Sequence, residues 1–137
     1  MRLTSFTDYG LRMLMRMAAA PDCSLSTAQL SEEFGLSRNH LAKIMQRLVE
    51  AGVVTTRRGA GGGARLVTAP QNLKLGDLVE ILEDGQALVE CFANGGGSCS
   101  IIRHCRLRTR LQSAGDAFLA DLNQSTLADI SLASTKI

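Results

Sequence analysis

The sequence predicts a mostly α-helical protein with one small β-hairpin: a winged helix-turn-helix, then a cysteine loop, then a long C-terminal dimerisation helix. Three observations carry that expectation. Two short amphipathic segments flank Gly35, the pattern of a helix-turn-helix. The β-branched run VVTTRR, the turn GAGGG and a second run ARLVTA follow at once and read as a hairpin ending before Pro70. Finally, Leu107, Leu111, Ala114, Phe118 and Leu122 recur at three-to-four spacing, an apolar stripe on one long helix.

Each element has its own local cause. In SFTDYGLRMLMRMAAA, Tyr9, Met13 and Met17 share a helical face, and the alanine run stops before Pro21. Ser26 or Thr27 can cap a second helix bearing Leu30 and Phe34, with Gln29 completing a capping box. Gly35 ends it. Ser37 then caps SRNHLAKIMQRLVEAG, which turns Leu41, Ile44, Met45 and Leu48 to one side and stops at Gly52. LKLGDLVEILED gives a fourth helix over 73–84, with Gly85 as its C-terminal cap. After the long helix, Ser125 or Thr126 is expected to cap a last short helix, TLADISLA, before a frayed end.

A chain of 137 residues suffices for one compact core without disulfide staples. We divide it into a DNA-binding winged helix-turn-helix over 1–85, a cysteine loop over 86–105, and a dimerisation helix with a tail over 106–137. No apolar run reaches the roughly 18 residues of a membrane span. Arg12 and Arg16 interrupt the first apolar stretch, unlike a signal peptide, so the expected location is the cytoplasm, with no membrane partner. Clustered cysteines in that compartment point to metal ligands or redox thiols before structural disulfides.

Charge distribution singles out one third of the chain. Residues 36 to 68 hold six basic residues (Arg38, Lys43, Arg47, Arg57, Arg58, Arg65) and one acid, Glu50. The rest of the chain is net acidic, so positive charge gathers where a polyanion could meet it. The third helix begins SRNH, and a recognition helix aims its first side chains at base edges in the major groove of duplex DNA. Arg38 suits guanine bidentately, Asn39 suits adenine, and His40 can donate to a base or a phosphate. Ser37 holds the helix start, Lys43 and Arg47 would meet phosphates, and the wing arginines Arg57, Arg58 and Arg65 flank glycines that let the backbone approach the duplex. One such helix reads few base pairs, so a homodimer on a palindromic operator is expected, joined through the stripe on 107–122.

Cys91, Cys99 and Cys105 follow the spacing C-x7-C-x5-C. Zinc sites usually present closer cysteine pairs, whereas iron-sulfur clusters tolerate wide spacing on a Gly-rich loop. Cluster, zinc and metal-free thiols all stay open on these residues. A thiol redox enzyme using Cys99 or Cys105 with His104 as base lacks a second acid/base group in the pattern.

MRLTSFTDYGLRMLMRMA at the start, LSRNHLAKIMQRLVEAGVVTTRRGAGGGARL through the third helix and wing, and three cysteines before a long helix resemble the bacterial winged-helix iron-sulfur repressors of the NsrR/IscR type. The opening LTSFTDYGLR and the SRNH stretch are most similar to the nitric-oxide-sensitive branch of that family. The resemblance implies a homodimeric transcriptional repressor that senses nitric oxide through a cluster on the three cysteines, [4Fe-4S] or alternatively [2Fe-2S]. An iron- or cluster-status signal is the alternative within the same fold. A cubic cluster needs a fourth ligand, for which Asp8, Cys23, His104 and Glu90 are candidates and Asp8 is favoured. Asp8 lies in the best-matched motif and could reach a second subunit's cluster, although Arg12 at i+4 offers it a simpler partner.

Overall fold

A computed structural model of the chain describes residues 2–83, 86–93 and 97–132. Helix α1, Ser5–Ala18, opens at Thr4, whose Oγ1 accepts the Thr7 N–H at 3.2 Å. It buries Met13, Leu14 and Met17 completely or nearly so. A Cβ on Gly10 would stand 2.6 Å from Leu82 and 3.3 Å from Ile44. The missing side chain therefore sets the depth at which α1 crosses the third and fourth helices.

Helix α2, Thr27–Phe34, starts on the expected capping box: Ser26 Oγ accepts the Gln29 N–H at 3.1 Å, and Gln29 Oε1 accepts the Ser26 N–H at 2.8 Å. Gly35, at φ 65°, ends it in the left-handed conformation that glycine adopts without strain. Helix α3, Arg38–Glu50, buries Leu41, Ile44, Met45 and Leu48, the face its spacing predicts.

The hairpin is shorter than its two β-branched runs. Strands β1, Val54–Arg57, and β2, Gly63–Leu66, pair antiparallel, with Val54 opposite Leu66 and Arg57 opposite Gly63. Leu25, from the α1–α2 connection, adds an isolated bridge to Ala64, with backbone bonds of 2.8 and 2.9 Å. Beyond Val67, whose N–H still reaches the Val53 carbonyl, no third strand among the described residues holds the chain extended, and it turns at Pro70–Asn72.

Helix α4, Leu75–Leu82, is likewise shorter than the 73–84 pattern, and its expected cap, Gly85, lies outside the described residues. The expected fraying of the C-terminus falls on residues 133–137, also outside them. Helix α5, Arg106–Leu122, matches the sequence pattern, yet none of its residues is fully buried. Its C-terminal half rests on α4. Asn123 Oδ1 accepts the Asp77 N–H at 3.0 Å and Asn123 Nδ2 donates to Asp77 Oδ1 at 2.8 Å.

The expected last helix is corrected to one 3-10 turn, Ala128–Ile130. Its backbone groups are engaged elsewhere: Leu127 N–H donates to the Leu73 carbonyl at 2.8 Å, and Leu75 N–H donates to the Ser125 carbonyl at 3.1 Å. Leu127 itself is fully buried, so this segment closes the core from the α4 side. No described helix is long and apolar enough to cross a membrane.

Candidate DNA-reading face and cysteine loop

Burial of Leu41, Ile44, Met45 and Leu48 leaves the opposite side of α3 to solvent. Ser37 Oγ accepts the His40 N–H at 3.1 Å and fixes where the helix begins. Arg38 and Asn39 follow in its first turn, both exposed, and Lys43 is exposed one turn further on. Those three are exposed, away from the buried Leu41, Ile44, Met45 and Leu48.

His40 and Arg47 are placed differently from their neighbours. The His40 ring is half-buried against α1, 5.4 Å from the Tyr9 ring centroid in an edge-on contact and 6.2 Å from that of Phe6. Arg47 is half-buried, and its Nη1 lies 3.5 Å from the Ile81 carbonyl oxygen at the end of α4. Both side chains join α3 to the helices behind it. Sequence periodicity could not find Phe6 and Tyr9 as partners of the recognition helix, because the contact spans more than thirty residues of chain.

Arg57, Arg58 and Arg65 are exposed on the hairpin. Gly61 takes φ 72° in the turn. Gly63 takes φ 139°, and a Cβ there would stand 2.9 Å from the Leu25 backbone. Glycine at 63 thus allows both the turn and the bridge that fastens the wing to the α1–α2 connection.

The cysteine loop connects α4 to α5. Cys91 lies in a 3-10 turn, Glu90–Phe92; Cys99 lies in irregular chain; Cys105 occupies the N-cap position of α5. All three are half-buried free thiols, and Cys23 is an exposed one in the α1–α2 connection. Glu90 folds back over the loop, with Oε1 3.5 Å from the Ser98 N–H. Arg108, in the first turn of α5, sits 5.7 Å from the Phe92 ring centroid.

Three thiols on one connection suit an iron-sulfur cluster or another thiophilic metal in donor chemistry. The described conformation does not draw them together, since no group of three His, Cys, Asp or Glu among the described residues is placed to hold a metal ion. Asp8 is engaged by Arg12 in a bidentate pair at 2.8 and 3.1 Å, with both side chains about half exposed. Sequence reading also missed Glu83, at the end of α4, whose Oε1 accepts from both the backbone N–H and the hydroxyl of Thr4.

The family described as Rrf2, iron-dependent transcriptional regulator, matches residues 3–132. Among solved structures, a candidate transcriptional regulator from Listeria innocua is 28% identical, with a TM-score of 0.72 over 99% of this chain and 90% of that one. IscR of T. potens is 23% identical, with a TM-score of 0.73 over 95% of this chain and 85% of its own. CymR, the global cysteine regulator of B. subtilis, is 24% identical, with a TM-score of 0.70 over 96% of each chain. The likeness to these last two is one of fold.

Proposed function

The chain belongs to the Rrf2 family of transcriptional regulators, and from that premise we propose that it is a homodimeric repressor whose hold on a palindromic operator is governed by an iron-sulfur cluster responsive to nitric oxide. As a transcriptional regulator it is not an enzyme, which removes the thiol-enzyme alternative for Cys99 and Cys105. The observation that carries the proposal is the set of three free thiols on the single connection between α4, which packs on α1 and α3, and α5.

In this reading Arg38 and Asn39 contact base edges, Lys43 meets a phosphate, and Arg57, Arg58 and Arg65 follow the backbone or minor groove. His40, held against Tyr9 and Phe6, positions the helix start and carries little readout of its own. Arg47 adds charge at the edge of the face while holding α3 against α4. Cys91, Cys99 and Cys105 would hold the cluster, with the partner subunit's Asp8 as an oxygen ligand. The surface pair with Arg12 costs Asp8 little to exchange, because exposed ion pairs contribute about 0–1 kcal/mol. When bound, such a cluster supplies iron that a small diatomic ligand can reach.

The test is operator binding by anaerobically purified protein during a nitric oxide titration. Operator affinity should fall in step with the visible absorption of the cluster. Unchanged affinity after that absorption is gone would remove nitric oxide as the signal. The family's description as iron-dependent favours a second reading, an iron- or cluster-status regulator of the same fold. Its mark would be operator release on iron chelation with no response to nitric oxide.

A further inference from the structure

Cys91, Cys99 and Cys105 stand on three separate pieces of chain: a 3-10 turn, an irregular stretch and the N-cap of α5. A group bound by all three has to hold those pieces in register, and closing a flexible loop around it costs conformational entropy. Two side chains beside Cys91 already link its turn to the other two pieces.

The turn is closed by its own backbone: Phe92 N–H donates to the Val89 carbonyl at 2.9 Å, and Ala93 N–H donates to the Glu90 carbonyl at 3.1 Å. With about three residues per turn, the side chains of Glu90, Cys91 and Phe92 leave its axis in three directions. Glu90 reaches the piece that carries Cys99. Its Oε1 lies 3.5 Å from the N–H of Ser98, the residue before Cys99. A Cβ on Gly97 would stand 3.0 Å from Glu90 Cγ and 3.1 Å from its Oε1, so glycine at 97, held at φ 62°, leaves the room this contact uses. Phe92 reaches the piece that begins at Cys105. The Arg108 guanidinium carbon stands 5.7 Å from the Phe92 ring centroid, and Arg108 lies about one helical turn beyond Cys105.

Glu90, Ser98 and Arg108 are all exposed. Contacts of this kind at the surface add little to the stability of a fold. Their consequence falls on the geometry of the loop. We infer that Glu90 and Arg108 are positioning residues for the thiol site. Glu90 fastens the Cys91 turn to the Cys99 segment, and Arg108 fastens it to the start of α5, so that the three pieces close on a thiophilic group together and not one at a time. Glu90 then stands beside the ligand set and outside it, because its carboxylate is engaged by the chain. These roles rest on the cluster reading above and concern the groups that hold its ligands. Outer groups that orient metal ligands are worth about 10–100-fold in metal affinity.

The test is iron release to excess EDTA from full-length protein purified without oxygen, followed by the loss of visible absorption. Glu90→Ala and Arg108→Ala should each release iron about tenfold or more faster than the parent. Glu90→Gln keeps an oxygen for the Ser98 N–H, and Arg108→Lys keeps a cation for the Phe92 ring, so both should stay near the parent's rate. Thermal unfolding of the metal-free variants should match that of the metal-free parent, which separates placement of the thiols from a general loss of structure. If one alanine variant does not fold, the other still reports its own fastening. Release at the parent's rate from an iron-loaded alanine variant overturns that residue's role and leaves the cluster reading standing. Glu90→Gln as fast as Glu90→Ala overturns the positioning role of Glu90, since an amide replaces a hydrogen-bond acceptor but not a ligating carboxylate. A parent without iron and sulfide overturns the cluster reading and both roles with it.

Discussion

Glu83 Oε1 accepts two hydrogen bonds from Thr4, one from its backbone N–H at 2.7 Å and one from its hydroxyl at 3.0 Å. The same hydroxyl caps α1 at Thr7. One carboxylate at the end of α4, beside the start of the cysteine loop, thereby fixes the N-terminus of the helix on which His40 rests. Thr4→Ala should cost about 1–2 kcal/mol in urea denaturation, as loss of a cap does. A double-mutant cycle with Glu83→Gln should return a coupling of at least about 0.5 kcal/mol. Additive effects would mean that the contact does not tie the two helices.

Arg38→Ala should reduce operator affinity by about 1–3 kcal/mol and relax the preference for one base pair. Lys43→Ala should weaken operator and random DNA alike and lower the salt slope by about one. Fluorescence anisotropy across a salt series, on operator and random duplexes, separates the two. Retained discrimination in the Arg38 variant would remove it from base reading.

In the proposed reading His40 acts through its ring contacts, so His40→Ala should lower both stability and operator affinity without altering which bases are preferred. His40→Phe keeps an aromatic ring against Tyr9 and Phe6 and should recover most of both losses. A changed base preference in either variant would return His40 to the reading face.

Gly76→Ala opposes two effects of known sign. Helix propensity alone favours alanine by about 1 kcal/mol. A Cβ there would run into the Leu119 carbonyl oxygen and the Asn123 side chain, and overpacking against backbone costs about 1–3 kcal/mol. We expect net destabilisation and loss of the Asn123–Asp77 bonds; a more stable variant would show that α5 can lift away from α4 freely.

Asp129 gives a pH-dependent contribution. The Thr126 N–H and hydroxyl donate to its Oδ2 at 2.7 and 2.9 Å, and these bonds hold its carboxyl below the usual range. Its stabilisation is present above the unfolded carboxylate value of about 3.9 and disappears as pH falls through the lower folded value. Asp129→Asn should flatten that part of the acid-unfolding curve, and an unaltered curve would exclude the contribution.

Local signals made most of the architecture legible. Ser26 with Gln29, Ser37, Gly35 and the apolar spacing of α3 act within one or two helical turns, where sequence carries the physics directly. What remained hidden depends on distant chain. TLADISLA has helical composition, but backbone bonds from Leu127 N–H to the Leu73 carbonyl and from Leu75 N–H to the Ser125 carbonyl override it. The exposed side chains of the candidate DNA-reading face followed from burial of their neighbours. The tethering of His40 and Arg47 did not, because their partners, Phe6, Tyr9 and Ile81, lie on other helices. Cysteine spacing identified the loop and its three thiols; it carries no information on how those thiols are arranged in space.

The most direct measurement is iron and acid-labile sulfide per chain, with the visible absorption spectrum, on protein purified without oxygen. Iron and sulfide are expected in the equal amounts that a cluster requires, with broad visible absorption, and both should be lost in Cys91→Ala, Cys99→Ala and Cys105→Ala. Colourless protein containing zinc or no metal would contradict the cluster reading and leave a DNA-binding regulator with a different signal.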